Sequence, residues 1–133
     1  MQTSPVPDFN QIKAYNVSAA VARGQLVKQT ANDTVAPCSA ATDAVFGVAI
    51  EDQSTVGRAV SIAQGGEAEF IAGGAITRGA QIASDGSGRG VALTPVASGG
   101  GTVARSVGMA KEAVLNAGER SVVQIAPCPV VTA

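Results

Sequence analysis

Short apolar runs separated by polar stretches recur along the chain from residue 14 onward. Several are rich in Val and Ile: VFGVAI (45–50), AVSIA (59–63), EAEFIA (67–72) and SVVQIA (121–126). Glycines interrupt the pattern at intervals of about eight to twelve residues, the spacing of strands in a sandwich or a barrel. The pattern therefore predicts an all-β domain of β-sandwich or barrel-like form.

Part of this pattern occurs twice. AVARGQLV (20–27) aligns without a gap on AITRGAQI (75–82), and GVAIEDQSTVGRAVSIA (47–63) aligns on GMAKEAVLNAGERSVVQIA (108–126) after a two-residue insertion. The segments follow the same order both times, as in an internally repeated structure. We expect two related β units, approximately 20–63 and 75–126, packed together.

The ends of the domain and one segment within it depart from the strand pattern. Residues 1–13 contain Pro5 and Pro7 and show no period, which predicts an extended N-terminal arm before a single β-rich domain at 14–133. MAKEAVLNAG (109–118) is rich in helix formers and ends at a glycine. The repeat places it opposite VAIEDQSTVG (48–57), where Thr55 and Val56 favour strand or loop. One short helix therefore remains an alternative at 109–118.

The glycine-rich stretch SDGSGRG (84–90) resembles a phosphate-binding loop only superficially. The first unit has TANDTVAPCSAATD (30–43) at this position, without glycine, and neither nucleotide-binding spacing is present. Asp85 also stands where the esterase motif around a nucleophilic serine, here Ser87, requires a glycine. The stretch predicts a hairpin turn.

Composition adds two expectations. Hydrophobic residues make up 46% of the chain, mostly Ala and Val, with no Trp, one Tyr and three Phe. Since aromatic side chains provide the largest burial per residue, we expect neighbouring subunits or a larger surface to contribute stability. Cys38 and Cys128 each follow Ala-Pro, and without a secretory signal two reduced thiols are favoured over one disulfide.

Charge and hydropathy exclude several partners. Nine basic and ten acidic residues give a net charge of −1 without blocks of one sign, which argues against nucleic acid. No apolar run reaches the roughly 20 residues of a membrane span, and MQTSPVPDFNQ lacks the features of a signal peptide. We expect a protein made in the cytoplasm that binds neither membrane nor nucleic acid.

Candidate chemistry is sparse. The chain has no histidine, so two thiols would need carboxylates to complete a zinc site. Glu67 and Glu69 would share one strand face, but solvated strand residues are the commoner outcome. We therefore predict no catalytic, metal or cofactor site. Arg23 and Arg78 stand at equivalent Arg-Gly turns, where they could bind carboxylates of a partner or be solvated.

These segments together resemble a known family. ARGQLV, FGVAI, VGRAVSIAQGGEAEF, AITRGAQIASDGSGRGV and VGMAKEAVLNAGERSVVQIAP resemble the small Ala/Gly/Val-rich decoration, or cement, proteins of tailed-bacteriophage capsids, over about residues 14–127. The resemblance implies a virion protein on the capsid exterior, assembled in the host cytoplasm, that joins neighbouring major capsid proteins. It also implies a homo-oligomer, with a trimer favoured and a dimer possible.

Six residues are the candidate partner contacts, and Phe9 in the arm is the expected anchor; Phe46 and Phe70 are assigned to the core. Two other functions are considered. A β-sandwich module that binds a carbohydrate or a host surface is disfavoured by the scarcity of aromatics. A small enzyme or metal-binding protein is disfavoured by the lack of histidine. The six candidate contacts are Pro5, Pro7, Phe9, Tyr15, Arg23 and Arg78.

Overall fold

The computed structural model describes residues 11–93 and 103–131, and every regular element in these ranges is a strand. The all-β prediction is confirmed. The ten strands are β1 (Ile12–Val17), β2 (Leu26–Ala31), β3 (Thr34–Pro37), β4 (Val45–Ala49), β5 (Ala59–Ala63), β6 (Gly66–Ile71), β7 (Gln81–Ser84), β8 (Gly90–Ala92), β9 (Val103–Ala110) and β10 (Arg120–Val131).

The strands form two consecutive units. Unit 1, β1 to β5, is a closed barrel with the strand order β1-β3-β2-β4-β5, and unit 2, β6 to β10, is a five-stranded sheet with the order β6-β10-β9-β7-β8. β1 begins at Ile12, so Ile12 and Lys13 of the predicted arm are part of the barrel wall. The connection between the units consists of residues 64 and 65. Because it is so short, the two units lie next to each other.

Backbone hydrogen bonds show that the two units repeat one plan. Val21 and Gln53 exchange two amide hydrogen bonds in unit 1, as Ile76 and Val114 do in unit 2. In addition, β1 pairs antiparallel with β5 in unit 1, and β6 pairs antiparallel with β10 in unit 2. The repeat therefore includes β1 and β6, which the sequence comparison did not detect.

The repeat contains no two-residue insertion. Gly57 donates to the carbonyl of Val17, and Gly118 donates in the same way to that of Ala72, which fixes the two turns as equivalent. Continuing from these turns, Val60 corresponds to Ser121, and Ile62 corresponds to Val123 rather than to Ile125. Ser121 is buried and its hydroxyl donates to the carbonyl of Glu112 at 2.7 Å. Ser121, whose hydroxyl has a hydrogen-bond partner, thus occupies the position that Val60 has in unit 1. This exchange obscured the equivalence of the two segments in the sequence comparison.

Residues 109–118 and the glycine-rich stretch at 84–90 are both parts of the β structure. Residues 109–118 contain the end of β9 at Ala110 and a turn, so the helical alternative is wrong. Strand pairing with β10 and the Ile76–Val114 bridge outweigh the local helix propensity here. The glycine-rich stretch is the predicted hairpin between β7 and β8, in which the Asp85 carboxylate accepts the amides of Ser87 and Arg89.

The two cores are composed differently. Unit 1 encloses its own cluster of buried side chains, including Tyr15, Val17 and Ile62. The second cluster combines unit 2 residues such as Phe70 with residues of unit 1. Unit 1 is therefore self-contained in its interior, whereas unit 2 is completed by its neighbour. The unit 1 members of the second cluster are Leu26, Cys38, Val45, Val48 and Ala63.

A short segment of unit 1 enters the wall of unit 2. In unit 1 the amide of Asn16 donates to the carbonyl of Asp33, next to the direct pairing of β1 with β3. The equivalent amide in unit 2, that of Ile71, donates instead to Gly24, and Leu26 donates to Gly88. The direct link to β8 comes after β6 has ended: Ala72 is bridged to Gly90, and the Gly73 amide donates to the Gly90 carbonyl. We call residues 24–26 the inserted segment.

Candidate interaction surfaces

The two arginines predicted as partner contacts lie at equivalent, exposed positions. Neither Arg23 nor Arg78 forms an ion pair with any residue that the structure describes. Their turns differ in what surrounds them. Gly24 is buried against unit 2, where the Arg120 guanidinium also donates to the Arg23 carbonyl at 3.2 Å, but Gly79 is exposed. The Arg23 turn therefore has a partner within the chain, whereas the Arg78 turn faces solvent.

Tyr15 is a core residue and not an accessible contact. Its side chain is 7% exposed, its ring packs edge-on against Phe46 with centroids 4.9 Å apart, and its hydroxyl donates to Gln64. Phe70, at the equivalent place in unit 2, is fully buried, as predicted. The shared aromatic position in β1 and β6 is the sequence signal that would have assigned Tyr15 to the core. Pro5, Pro7 and Phe9 lie outside the described residues.

The outward side chains of the first and last strands of each unit form surfaces that differ in charge. In unit 1 they form an uncharged face with an exposed aliphatic side chain, Ile12, which is 51% exposed. Glu51 flanks this face, and its carboxylate accepts the Ser61 amide at 2.9 Å. The uncharged face consists of Ile12, Ala14 and Asn16 of β1 with Ala59 and Ser61 of β5.

The equivalent positions in unit 2 form a charged face. Glu67 pairs with Lys111, and Glu69 lies 3.8 Å from the Arg120 guanidinium. Glu67 and Glu69 share one face, as predicted, and both are paired with cations at the protein surface. Such exposed pairs are typical of a solvated sheet. The charged face consists of Glu67, Glu69 and Ile71 of β6 with Arg120, Val122 and Gln124 of β10.

The loop ends of the two units differ in shape. In unit 1 an open depression of about 400 Å³ lies between the β1–β2 and β4–β5 connections. In unit 2 the position equivalent to Ser54 is Leu115, whose side chain is 82% exposed. The Glu119 carboxylate accepts the amides of Leu115 and Asn116, which holds the turn in one conformation. The depression is lined by Ala20, Val21, Ala22, Gln25, Asp52 and Ser54.

Cys38 and Asp43 have pKa values that their surroundings shift. Cys38 is a buried, free thiol, and burial together with the nearby Asp43 carboxylate raises its pKa to about 12, against a smaller opposing effect of Lys28. The backbone amide of Ser39, and then Lys28, lower the pKa of Asp43. A thiol held neutral in this way is a poor nucleophile. Cys128 lies in β10.

Two further observations concern classes of function. Within 11–93 and 103–131, no group of three or more Cys, Asp or Glu residues is arranged to hold a metal ion. No helix in these ranges has the length and apolarity to cross a membrane. Phe46 is half-buried, while Tyr15 and Phe70 are buried.

Comparison with known proteins shows a similarity of fold. No protein-family model and no curated protein matches the chain. Among solved structures, the chain is similar to the head fiber gp8.5 N base in bacteriophage phi29, with a TM-score of 0.65 and 17% sequence identity. The similarity covers 88% of this chain and 94% of that chain. At this identity the comparison shows that the two share a fold.

Proposed function

We propose that this chain is a structural protein of a bacteriophage head, which binds the outer surface of the shell and holds neighbouring major capsid proteins together. The observation that carries the proposal is the fold shared with a phage head fiber base over nearly the full length of both chains. The segments of this sequence that resemble capsid decoration proteins support the same class of function independently.

The uncharged face of unit 1 is the surface proposed to contact the shell. It presents Ile12, Ala14 and Ala59 without an ionisable side chain, whereas the equivalent face of unit 2 has two ion pairs. Uncharged, small side chains can be desolvated against a protein surface at low cost, while buried ion pairs carry a large penalty. This difference supports an orientation with unit 1 toward the shell and unit 2 toward solvent.

The place where the chain enters the barrel supports this orientation. Residues 1–10, with Pro5, Pro7 and Phe9, lead through Gln11 directly into Ile12 at the edge of the uncharged face. We propose Phe9, three residues before Ile12 in the sequence, as an additional apolar anchor. Each contact of this kind is modest, but many copies on one shell act together, and multivalency raises the effective strength.

The proposal is tested on heads of the bacteriophage that encodes the chain, prepared with its gene disrupted. Purified wild-type protein should co-sediment with these heads and saturate at a defined number of copies per head. Ile12→Glu places a charge on the uncharged face and should reduce binding at least tenfold. Met109→Glu is the matched control, because Met109 is an exposed strand residue of unit 2, at 41% exposure, and should bind as wild type does.

Two results would contradict the proposal. If wild-type protein does not bind the deficient heads, the function is wrong. If it binds and Met109→Glu, but not Ile12→Glu, loses binding, the head-surface function stands and the orientation is reversed. Circular dichroism and thermal unfolding of each variant establish that both substitutions leave the fold intact.

A further inference from the structure

The last strand of the chain is longer than the strand beside it. β10 pairs with β6 only as far as Ile125, whose partner Gly66 is the first residue of β6. From Cys128 to Val131, β10 is paired with β9 on its other side. No strand of the described part of the chain pairs with the remaining side of this segment. We call that side, along residues 127–131, the open edge of β10.

An open strand edge is a hazard because its amide and carbonyl groups can pair with a strand of another molecule. Proteins commonly block such an edge with charged side chains, with proline or with a β-bulge. Charge is not available here, since SVVQIAPCPVV (121–131) contains no Asp, Glu, Lys or Arg. Apart from its two prolines, this stretch has the high β-propensity and the lack of charge that are typical of aggregation-prone segments. Protection of the edge is therefore left to Pro127 and Pro129.

Both prolines stand where they affect the open edge. The Arg105 amide donates to the carbonyl of Ala41 at 2.8 Å, so the backbone of Arg105 faces away from β10. Pro129 lies directly opposite Arg105, and opposite residues of an antiparallel pair either bond to each other or both face away. Pro129 therefore faces the open edge, where it presents a carbonyl but no amide hydrogen. Pro127 lies in the irregularity of register that follows Ile125, and such irregularities also interrupt an edge.

We propose that Pro127 and Pro129 prevent the open edge of β10 from pairing with strands of other molecules. Pro129 withholds the amide donor that an added strand would need, and the irregularity at Pro127 disturbs the spacing of the groups around it. The two prolines thus keep an uncharged, β-prone stretch within its own molecule. The inference concerns the isolated protein and is independent of head binding.

Replacing the prolines by threonine in the full-length chain tests the proposal. Threonine restores an amide hydrogen and favours strands, without adding an aliphatic side chain. At a temperature where all the proteins are folded, Pro129→Thr should associate faster than wild type, and Pro127→Thr/Pro129→Thr about tenfold faster or more. Light scattering and thioflavin T fluorescence follow the association, and circular dichroism establishes that each protein starts folded.

Pro37→Thr is the matched control, because Pro37 stands in the same tripeptide, Ala-Pro-Cys, as Pro127. It lies in β3 opposite Val27 of β2, with Gly88 of unit 2 beside it, so this proline borders the other unit. The control variant should associate at the wild-type rate. A general effect of losing a proline from a strand would appear in this variant too, whereas a loss of edge protection would not.

Hydrogen exchange identifies the edge that pairs. In the associated double variant the new amides at positions 127 and 129 should be protected, whereas before association they should exchange rapidly. A double variant that stays as dispersed as wild type would overturn the proposal. Equally fast association of Pro37→Thr would also overturn it, and so would amides at 127 and 129 that remain unprotected after association. Binding to heads is measured separately, so failure here and failure of the proposed function can be told apart.

Discussion

In unit 1 the Asn16 amide donates to Asp33, just before the neighbouring strand β3, whereas in unit 2 the equivalent Ile71 amide donates to Gly24 of the other unit. The same backbone plan therefore closes in two ways. Unit 1 closes through its own strands, and unit 2 closes around the inserted segment. Although each unit has five strands, the wall and the core of unit 2 include residues of unit 1, whereas the barrel of unit 1 is formed by its own strands.

The same comparison explains the surfaces. Leu26 and Val48 of unit 1 are covered by unit 2, and the corresponding positions are occupied by Gln81 and by the exposed Met109. The surface of unit 2 that corresponds to the covered surface of unit 1 is thus more polar. What unit 2 offers in its place is the projecting Leu115 and a charged face.

The largest expected effect comes from the side chain of Leu26, the last residue of the inserted segment. Leu26→Ala should reduce the free energy of unfolding by about 3 kcal/mol, because it removes a fully buried side chain from the shared core. The matched change in unit 2, Gln81→Ala, removes the acceptor of the Ser106 hydroxyl and should cost about 1 kcal/mol. Urea denaturation of both variants gives the two values. Equal costs would contradict the account of the inserted segment.

The next prediction separates two costs of replacing a turn glycine: the backbone strain and the steric contact with unit 2. Gly24 and Gly79 have φ of +93° and +90°, so alanine is strained equally at both. A Cβ at Gly24 would lie 2.8 Å from the Ile71 side chain, but one at Gly79 meets nothing within 4 Å. Gly24→Ala should therefore destabilise the chain by about 2 kcal/mol more than Gly79→Ala does. Thermal unfolding measures the difference, and similar losses would show that the turn is not pressed against unit 2.

A smaller, pH-dependent effect reports on the same boundary. Cys38 lies in the shared core with a pKa of about 12, against an ordinary value of 9.0. Its folded pKa is raised, so its contribution to stability is complete below about pH 9 and is lost as pH rises toward 12. The unfolding free energy of wild type should fall with pH in this window more steeply than that of Cys38→Ala. Parallel slopes would indicate an accessible thiol.

The smallest effect is expected on the charged face. Lys111→Ala removes the partner of Glu67, yet both side chains are partly exposed. The loss should be at most about 1 kcal/mol and should shrink in high salt. A loss of several kcal/mol, measured by denaturation in low and high salt, would show that this face is buried rather than solvated.

Much of the fold could be predicted from the sequence because strand alternation and glycine turns are local signals. The β class, the hairpin at 84–90 and most of the repeat follow from them. β1 and β6 were missed as a repeated pair because their only clear shared feature is the aromatic position of Tyr15 and Phe70. The inserted segment was not predictable, since nothing local distinguishes Gly24, which is buried, from Gly79, which is exposed.

The candidate surfaces were harder to predict for a related reason. Arg23 and Arg78 were correctly placed on equivalent turns, but their different surroundings arise only when the units pack. Leu115 lies in a segment whose composition favours a helix, and its exposure depends on the turn that Glu119 stabilises. The exposure of a side chain depends on how the turns and the units pack. A sequence pattern can therefore mark a position without showing whether it is exposed.

Closure of unit 2 by the inserted segment depends most directly on which carbonyl accepts the Ile71 amide. Scalar couplings across hydrogen bonds, measured by NMR on labelled full-length protein, identify the acceptor of each amide. We expect couplings from the Ile71 amide to the Gly24 carbonyl and from the Leu26 amide to the Gly88 carbonyl. A coupling from Ile71 to Gly88, as Asn16 has to Asp33, would show that unit 2 closes by itself and would contradict the central claim.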